Sequence, residues 1–373
     1  MKICIITSPF CELPPDAIGA VERRWANTAI ELSKLGNDIQ LIGKRGKTRL
    51  PSDERLERTY VRGYGRTMSI YGDIALDFLY SFRALRKCKA CDVLVCNTFW
   101  TPILAPLFFS RRYRKLVYNV ARFPKSHLKL YRKVDLFVCT SSPVRTALVK
   151  ICPSFAERAK VVPNPIDVQF YNADARQGVA QRCLVGYHGR IHREKGLDIL
   201  AAAVKTLSLQ YPELKLRMVG AWEVSRGGSG MEYKKSLDEL SGGRIEWVPA
   251  VSEPMELAHM LAECMVYCYP SVAEKGETFG VSPLEAMGLG LPVVVSSLEC
   301  FADFVREGEN GLVFDHRRRD PVGELTRVLR SVLEREDGRR RLGSAAAVTA
   351  LGFSTQNIAK RYLEMFLAEC HLV

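Results

Sequence analysis

No run in the 373-residue chain reaches the roughly 18 consecutive apolar residues needed to span a bilayer. The most apolar stretch, FWTPILAPLFF (99–109), is short and holds two prolines. The N-terminal MKICIITSPFCE has too short an apolar run for a secretory leader and reads as a strand. These absences exclude an integral membrane protein. The expectation is a cytoplasmic chain, with peripheral attachment at the inner face of the plasma membrane as its variant. No low-complexity tract and no 20- to 50-residue repeat occurs, which removes disordered and solenoid classes. Neither G-x-G-x-x-G nor a Walker A pattern is present, so nicotinamide and P-loop nucleotide readings lose their support. Cysteine is plentiful, but Cys88-x-x-Cys91 has no second pair at zinc spacing. Cys4, Cys96, Cys139 and Cys268 sit in apolar strand-like runs, as packed reduced thiols do. Neither a metal nor a cofactor is expected.

Acidic residues are scarce in one half only. Residues 1–170 contain 29 Lys+Arg against 14 Asp+Glu, a net of +15, whereas residues 171–373 contain 25 against 27, a net of −2. The segment 111–133 holds nine Lys or Arg and no acid. Such a field attracts an anionic partner: a lipid surface, a phosphorylated or acidic substrate, or nucleic acid. The basic tract contains no recognisable DNA- or RNA-binding module, so nucleic acid is not expected. The apolar PILAPLFF run leads directly into SRRYRK. A helix joining the two would suit a bilayer interface, and a sheet-covering helix with a basic tail fits equally.

A chain of this length exceeds what one core sustains, so two domains are expected. Apolar runs with strand character alternate with helical patterns: KICIITS, AVERRWANTAIELSKLG, DIQLIGK, DVLVCNTF, KLVYNV and DLFVCTSS. The turn-rich VVPNPIDVQFYNADARQG (161–178) interrupts them, and alternation restarts with CLVGYHGR, GLDILAAAVKTLSLQYP, LKLRMVGA, RIEWVPA, PMELAHMLAECM and VYCYPS. This is the pattern of two α/β units with doubly wound parallel sheets, whose ligands lie beyond the carboxyl ends of the strands in a cleft between the facing units.

Three loops carry candidate chemistry. In SPFCELPPDAIGAVERR, Gly19 and Ala20 precede a helix and could offer amides to a phosphate, or form a plain turn. In GYHGRIHREKGLDIL, Gly189 permits close backbone approach, and Arg190 and Lys195 suit a diphosphate, or line a solvated basic loop. In AEKGETFGVSPLEAMGLG, Ser282, Pro283 and Glu285 read as a capping box, with the helix starting at Pro283. That helix start favours an anion in the loop before it. Glu277, eight positions before Glu285, has no structural role in this pattern and could accept hydrogen bonds from sugar hydroxyls. A glycosidase acid pair is the less favoured reading, because it leaves Arg190 and Lys195 idle. His127, between Lys125 and Lys129, reads as part of a surface helix face.

Taken together, PPDAIGAVERRWANTAIELSKLGNDIQLI, KVVPNPID, GRIHREKGLDIL, the E-x7-E segment followed by Ala-Met…Gly-x-Pro-Val, NGLVFD and FSTQNIAKRYLEMF resemble the family-4 retaining glycosyltransferases (glycosyl transferases group 1) of the GT-B fold. The resemblance implies an acceptor-binding domain over 1–168, a nucleotide-sugar-binding domain over 169–352, and a final helix (353–373) crossing back to the first domain. It implies that Arg190 and Lys195 neutralise the departing diphosphate and that Glu277 holds donor-sugar hydroxyls. Glu285 would bind the ribose diol, with Gly189 and the backbone of Thr278, Phe279, Gly280, Val281 and Ser282 around the donor. Gly19 and Ala20 would approach the phosphates. It further implies a UDP- or GDP-linked donor, retention of configuration and independence of metal, with which the absence of any D-x-D agrees. The chain departs from the family pattern at Ala20, where a second glycine is usual, and at Ala121-Arg122, where many relatives carry a histidine. Arg122, Lys125 and His127 are the residues left there to shape an acceptor or donor-sugar pocket. The resulting expectation is a hexosyltransferase acting on an anionic, lipid-linked or saccharide acceptor in cell-envelope glycan, lipopolysaccharide or exopolysaccharide assembly. The alternative is an inert GT-B-like binding protein.

Overall fold

The structure, a computed structural model, describes residues 1–13, 20–46, 54–65, 67 and 69–370. The chain divides into two compact units, Met1–Pro165 with Thr355–Val373, and Ile166–Ser354.

In the first unit the strands are β1 (Lys2–Ile6), β2 (Glu12–Leu13), β3 (Asp38–Arg45), β4 (Leu56–Val61), β5 (Cys91–Cys96), β6 (Tyr113–Val120), β7 (Leu136–Cys139) and β8 (Ala159–Val161). They pair in the order β4-β3-β1-β5-β6-β7-β8, with β2 beside the far end of β3, and all pairings are parallel. The central strands are mostly buried, β1 from Ile3 and β5 from Val93 to their carboxyl ends, because helices cover both faces of a parallel sheet. Among the described residues, α1 (Ala20–Lys34), α2 (Ile70–Lys87), α3 (Thr101–Phe108) and α4 (Ser142–Ile151) belong to this unit, as does α11 (Thr355–Cys370). α11 lies against α1, with the buried rings of Trp25 and Tyr362 5.0 Å apart. The Trp25 indole donates to Asn97 Oδ1 (2.8 Å), which also accepts from Asn119 Nδ2 (2.7 Å). The start of α1 is thus tied to the ends of β5 and β6.

The apolar-to-basic run differs from either expected helix. α3 ends at Phe108, one 3-10 turn covers Ser110–Arg112, and Tyr113 already begins β6. Arg114 and Lys115 therefore stand on a strand. Arg112 turns inward, its Nη1 donating to the carbonyls of Leu85, Arg86 and Cys88 and closing the end of α2.

The second unit contains β9 (Leu184–His188), β10 (Lys215–Val219), β11 (Ile245–Val248), β12 (Val266–Tyr269), β13 (Val293–Ser296) and β14 (Leu312–Phe314). Their order, β11-β10-β9-β12-β13-β14, is again wholly parallel. It is covered by α5 (Leu197–Leu207), α6 (Gly230–Ser241), α7 (Pro254–Ala262), α8 (Val281–Gly288), α9 (Pro321–Glu334) and α10 (Glu336–Leu351). The two doubly wound parallel sheets are those the alternation predicts. No helix among the described residues is long and apolar enough to cross a membrane.

Asp77, on the buried face of α2, accepts hydrogen bonds from the Trp100 amide (2.9 Å) and the Ser81 hydroxyl (3.3 Å), which places its carboxyl at the start of α3. Burial outweighs these bonds and pushes its pKa up to about 6. A carboxyl whose pKa is raised on folding stabilises the protein below its unfolded value, and that contribution is lost as pH rises towards 6. Wild type should therefore lose about 2 kcal/mol from this site between pH 4 and 6.5. Asp77→Asn should flatten that part of the stability–pH curve in denaturant titrations, and an unchanged slope would show that Asp77 is not its source.

Candidate functional site

The carboxyl ends of β9 and β12 lie side by side where strand order in the second sheet reverses, the place where open α/β sheets take ligands. Gly189 leaves β9 with φ +139°, and its N–H donates to Val219 O (2.9 Å). A Cβ on Gly220, just past β10, would lie 1.8 Å from the Gly189 carbonyl oxygen, so only glycine allows this crossing. The loop carrying Arg190 and Lys195 is stitched to the end of β10 before it forms the 3-10 turn Arg193–Lys195 and enters α5.

Lys195 is not an exposed cation on a solvated loop. Its side chain is 8% exposed, its Nζ donates to Glu277 Oε2 (2.7 Å), and it lies 5.4 Å from the centre of the Tyr269 ring. The Tyr269 hydroxyl donates to the same carboxylate oxygen (3.1 Å). Glu277 therefore has a structural role that its sequence context did not show: it is the counter-ion of a buried lysine. Arg190 is half exposed; its Nη2 donates to Glu194 Oε1 (2.8 Å) and its Nη1 to Gly227 O (3.1 Å).

The expected capping box does not form. α8 begins at Val281, with Gly280 at its N-cap in the left-handed region (φ +90°) and no side-chain cap. A Cβ at Gly280 would meet the Phe301 ring at 2.5 Å. The glycine turn starts the helix two residues early, which puts Ser282 inside it and Glu285 on its second turn. There Glu285 Oε2 lies 2.8 Å from Nε2 of the buried His188. The Tyr267 hydroxyl lies 3.3 Å from both the backbone N and O of His188. Phe279 is buried against Phe304 and Phe353 (5.2 and 6.0 Å), so only its backbone is open to a ligand.

One strand end thus gathers Gly189, Arg190, Lys195, Glu277, Glu285 and the backbone of Thr278–Ser282. Two cations, two carboxylates and a helix N-terminus can hold an anion flanked by hydroxyl groups. His188, Glu194 and Tyr269 complete this set and were not anticipated. The only sequence signal for His188 and Tyr269 is position, each being the last residue of a core strand.

The other candidates belong to the first unit. Arg122 and Lys125 are exposed after β6. His127 is half-buried on a 3-10 turn (Ser126–Leu130) rather than on an exposed helix face, its ring 5.3 Å from Phe99 and 5.9 Å from Tyr131. Burial, then the Lys125 charge, lower its pKa. Ala20 opens α1, and Gly19 lies outside the described residues.

Similarity to known proteins covers both units. Residues 19–170 match the family described as Glycosyltransferase Family 4, and residues 175–349 match Glycosyl transferases group 1. A D-inositol 3-phosphate glycosyltransferase of Nocardioides sp. is 31% identical over 251 residues, 62% of this chain and 53% of the relative. The sulfoquinovosyl transferase SQD2 of Arabidopsis thaliana is 25% identical over 279 residues, 71% and 50%. The chain therefore spans about half the length of these relatives. Among solved structures, sucrose-phosphate synthase from Thermosynechococcus elongatus superposes with a TM-score of 0.78 at 17% identity over 100% of both chains. Anabaena HepE in complex with UDP and glucose gives 0.71 at 20% identity, covering 98% of this chain and 99% of that one. These likenesses show the GT-B fold.

The buried Lys195–Glu277 pair yields a stability test. Lys195→Met leaves a carboxylate buried beside Tyr269 without its cation and should cost about 3–5 kcal/mol. Adding Glu277→Gln should recover a large part of that loss. Strictly additive losses in a double-mutant cycle would show that the two groups are not coupled.

Proposed function

Since this chain belongs to the group-1, family-4 glycosyltransferases, we propose that it transfers a sugar from a nucleotide-diphosphate sugar, with the second unit as the donor-binding half. The observation that carries this reading is the convergence of Arg190, Lys195 and the start of α8 on one strand end, with Glu277 and Glu285 beside them. In such a transfer the bond between the anomeric carbon and the diphosphate oxygen breaks, and its electron pair stays on the phosphate. Arg190 and Lys195, with the amides at the start of α8, meet the charge that develops there. Both cations are already aimed by carboxylates, Arg190 by Glu194 and Lys195 by Glu277, so little reorganisation is needed when the charge appears. Glu277 accepts from hydroxyls of the donor sugar and Glu285 from the ribose diol. The reaction proceeds with retention and without a metal, in line with the family resemblance.

The first unit is the acceptor-binding half. Residues 1–170, which contain nearly all of it, carry a net charge of +15, which favours an anionic acceptor, a lipid-linked or phosphorylated saccharide of the cell envelope. The relatives named for D-inositol 3-phosphate are consistent with an acceptor of that charge. Arg122, Lys125 and His127 are its candidate contacts.

A thermal-shift screen of UDP- and GDP-sugars should raise the melting temperature for one donor, by an amount equivalent to about 2.7 kcal/mol at a hundredfold excess over Kd. Arg190→Ala and Lys195→Ala should each lower turnover on the order of 10² or more. Wild-type turnover in both would mean that the diphosphate lies elsewhere. Donor binding with neither transfer nor nucleotide release would identify an inert binding protein instead.

A further inference from the structure

We propose that Glu274 is a positioning residue for the donor sugar: clasped by Arg317 and His316, it holds the turn that presents Glu277. The proposal rests on the transfer reading above and adds residues that lie outside the group already described.

Glu277 reaches Lys195 from a tight turn. The amides of Gly276 and Glu277 both donate to the Ala273 carbonyl (3.0 and 2.9 Å). One flank of this turn is fixed by the loop that carries Lys195, since the Val272 amide (3.0 Å) and the Ser271 hydroxyl (3.3 Å) donate to Glu194 O. Within the turn Ala273 and Gly276 offer no polar side chain, and Lys275 is exposed. The other flank falls to Glu274.

Its partners come from just past β14. Arg317 donates as a fork, Nε to Glu274 Oε1 (2.8 Å) and Nη2 to Oε2 (2.9 Å), and His316 Nε2 lies 3.0 Å from Oε1. The Arg317 hydrogen bonds hold the Glu274 carboxyl below the ordinary carboxylate range. The His316 side chain is 5% exposed, and its Nδ1 lies 3.2 Å from Ser297 Oγ, just past β13. Arg317 reaches the same serine, donating from Nη1 to Ser297 O and Oγ (3.0 Å each). The carboxyl ends of β12, β13 and β14 are thereby laced together. The segment after Ser297 carries Phe301, whose ring lies against Tyr269 (5.9 Å) and would meet a Cβ at Gly280. The Glu277 turn and the start of α8 are therefore both set by loops that meet at Arg317.

Global stability does not account for this arrangement. Glu274 and Arg317 are 52% and 46% exposed, and ion pairs this open to water add little to folding. What a planar fork supplies is direction, because two parallel hydrogen bonds fix the orientation of a carboxylate as well as its distance. Direction is what the Glu277 turn requires. A carboxylate that reads sugar hydroxyls must be held closely in place, and a site with loose supporting contacts loses binding and turnover.

Hydrogen exchange on the ligand-free chain tests the positioning without donor or acceptor. Glu274→Ala and Arg317→Ala should each speed exchange of the Gly276 and Glu277 amides about tenfold, while the midpoint of denaturant unfolding stays close to wild type. Arg317→Lys, which keeps the charge but not the fork, should fall between. Binding then tests what the turn is held for. In Glu274→Ala the UDP- or GDP-sugar selected by the melting screen should lose about tenfold in affinity, and free UDP or GDP much less. The proposal is overturned if exchange at the turn is unchanged in both alanine variants, or if it rises equally throughout the second unit. It is equally overturned if sugar-bearing and sugar-free nucleotides weaken by the same factor. If wild type binds no UDP- or GDP-sugar while the exchange effect is present, the transfer reading fails and the clasp stands as the device that positions the turn.

Discussion

Every strand pairing in both sheets is parallel, and the placement of everything else follows from that. A parallel neighbour can be reached only by a crossover, so helices cover both faces and the connections after each strand all emerge along one edge. The central strands must then be largely apolar on both sides, and polar chemistry is pushed to their carboxyl ends. In the second unit the reversal between β9 and β12 opens that edge at one point, and His188, Arg190, Lys195, Tyr269 and Glu277 are grouped there.

Within that group the acids work on the cations before any ligand does. Lys195 would be costly to bury alone, and Glu277 with the Tyr269 hydroxyl makes its burial tolerable. The same contact fixes the ammonium in place. Lysine and arginine are thus both held by carboxylates, Lys195 by Glu277 and Arg190 by Glu194, and any anion at this strand end competes with those carboxylates. Glu285 is set similarly by His188, a buried residue at the end of β9.

The fold was legible because its signals are local. KICII, CDVLVC, LVGYH and VVVS are continuous apolar runs, and each became a strand. β4, with its mixed LERTYV pattern, and the three-residue β8 gave too little periodicity to see. At the candidate site, Arg190, Lys195 and Glu277 could be picked out by type and spacing, but their pairings could not. The Lys195–Glu277 contact joins residues 82 positions apart, and the His188–Glu285 contact spans 97. The capping box failed for a related reason: Ser282, Pro283 and Glu285 make a valid local signal, but the left-handed Gly280 starts the helix at Val281 and the distant His188 engages Glu285. PILAPLFF–SRRYRK misled because the backbone changes from helix to strand between its apolar and basic parts.

α11 joins the first unit although the whole second unit precedes it in the chain. The second unit is therefore an insertion, entered at Ile166 and left at Ser354. Those two residues form a parallel bridge, and the Ile166 amide donates to Phe353 O (2.9 Å). A 189-residue segment with its ends pinned together presents to its host as a short loop does, with its closure entropy already met inside its own fold. The first unit can thus complete its α1–α11 contact without waiting on the conformation of the second. A change of length or sequence inside the second unit therefore leaves the Trp25–Tyr362 contact of its host intact.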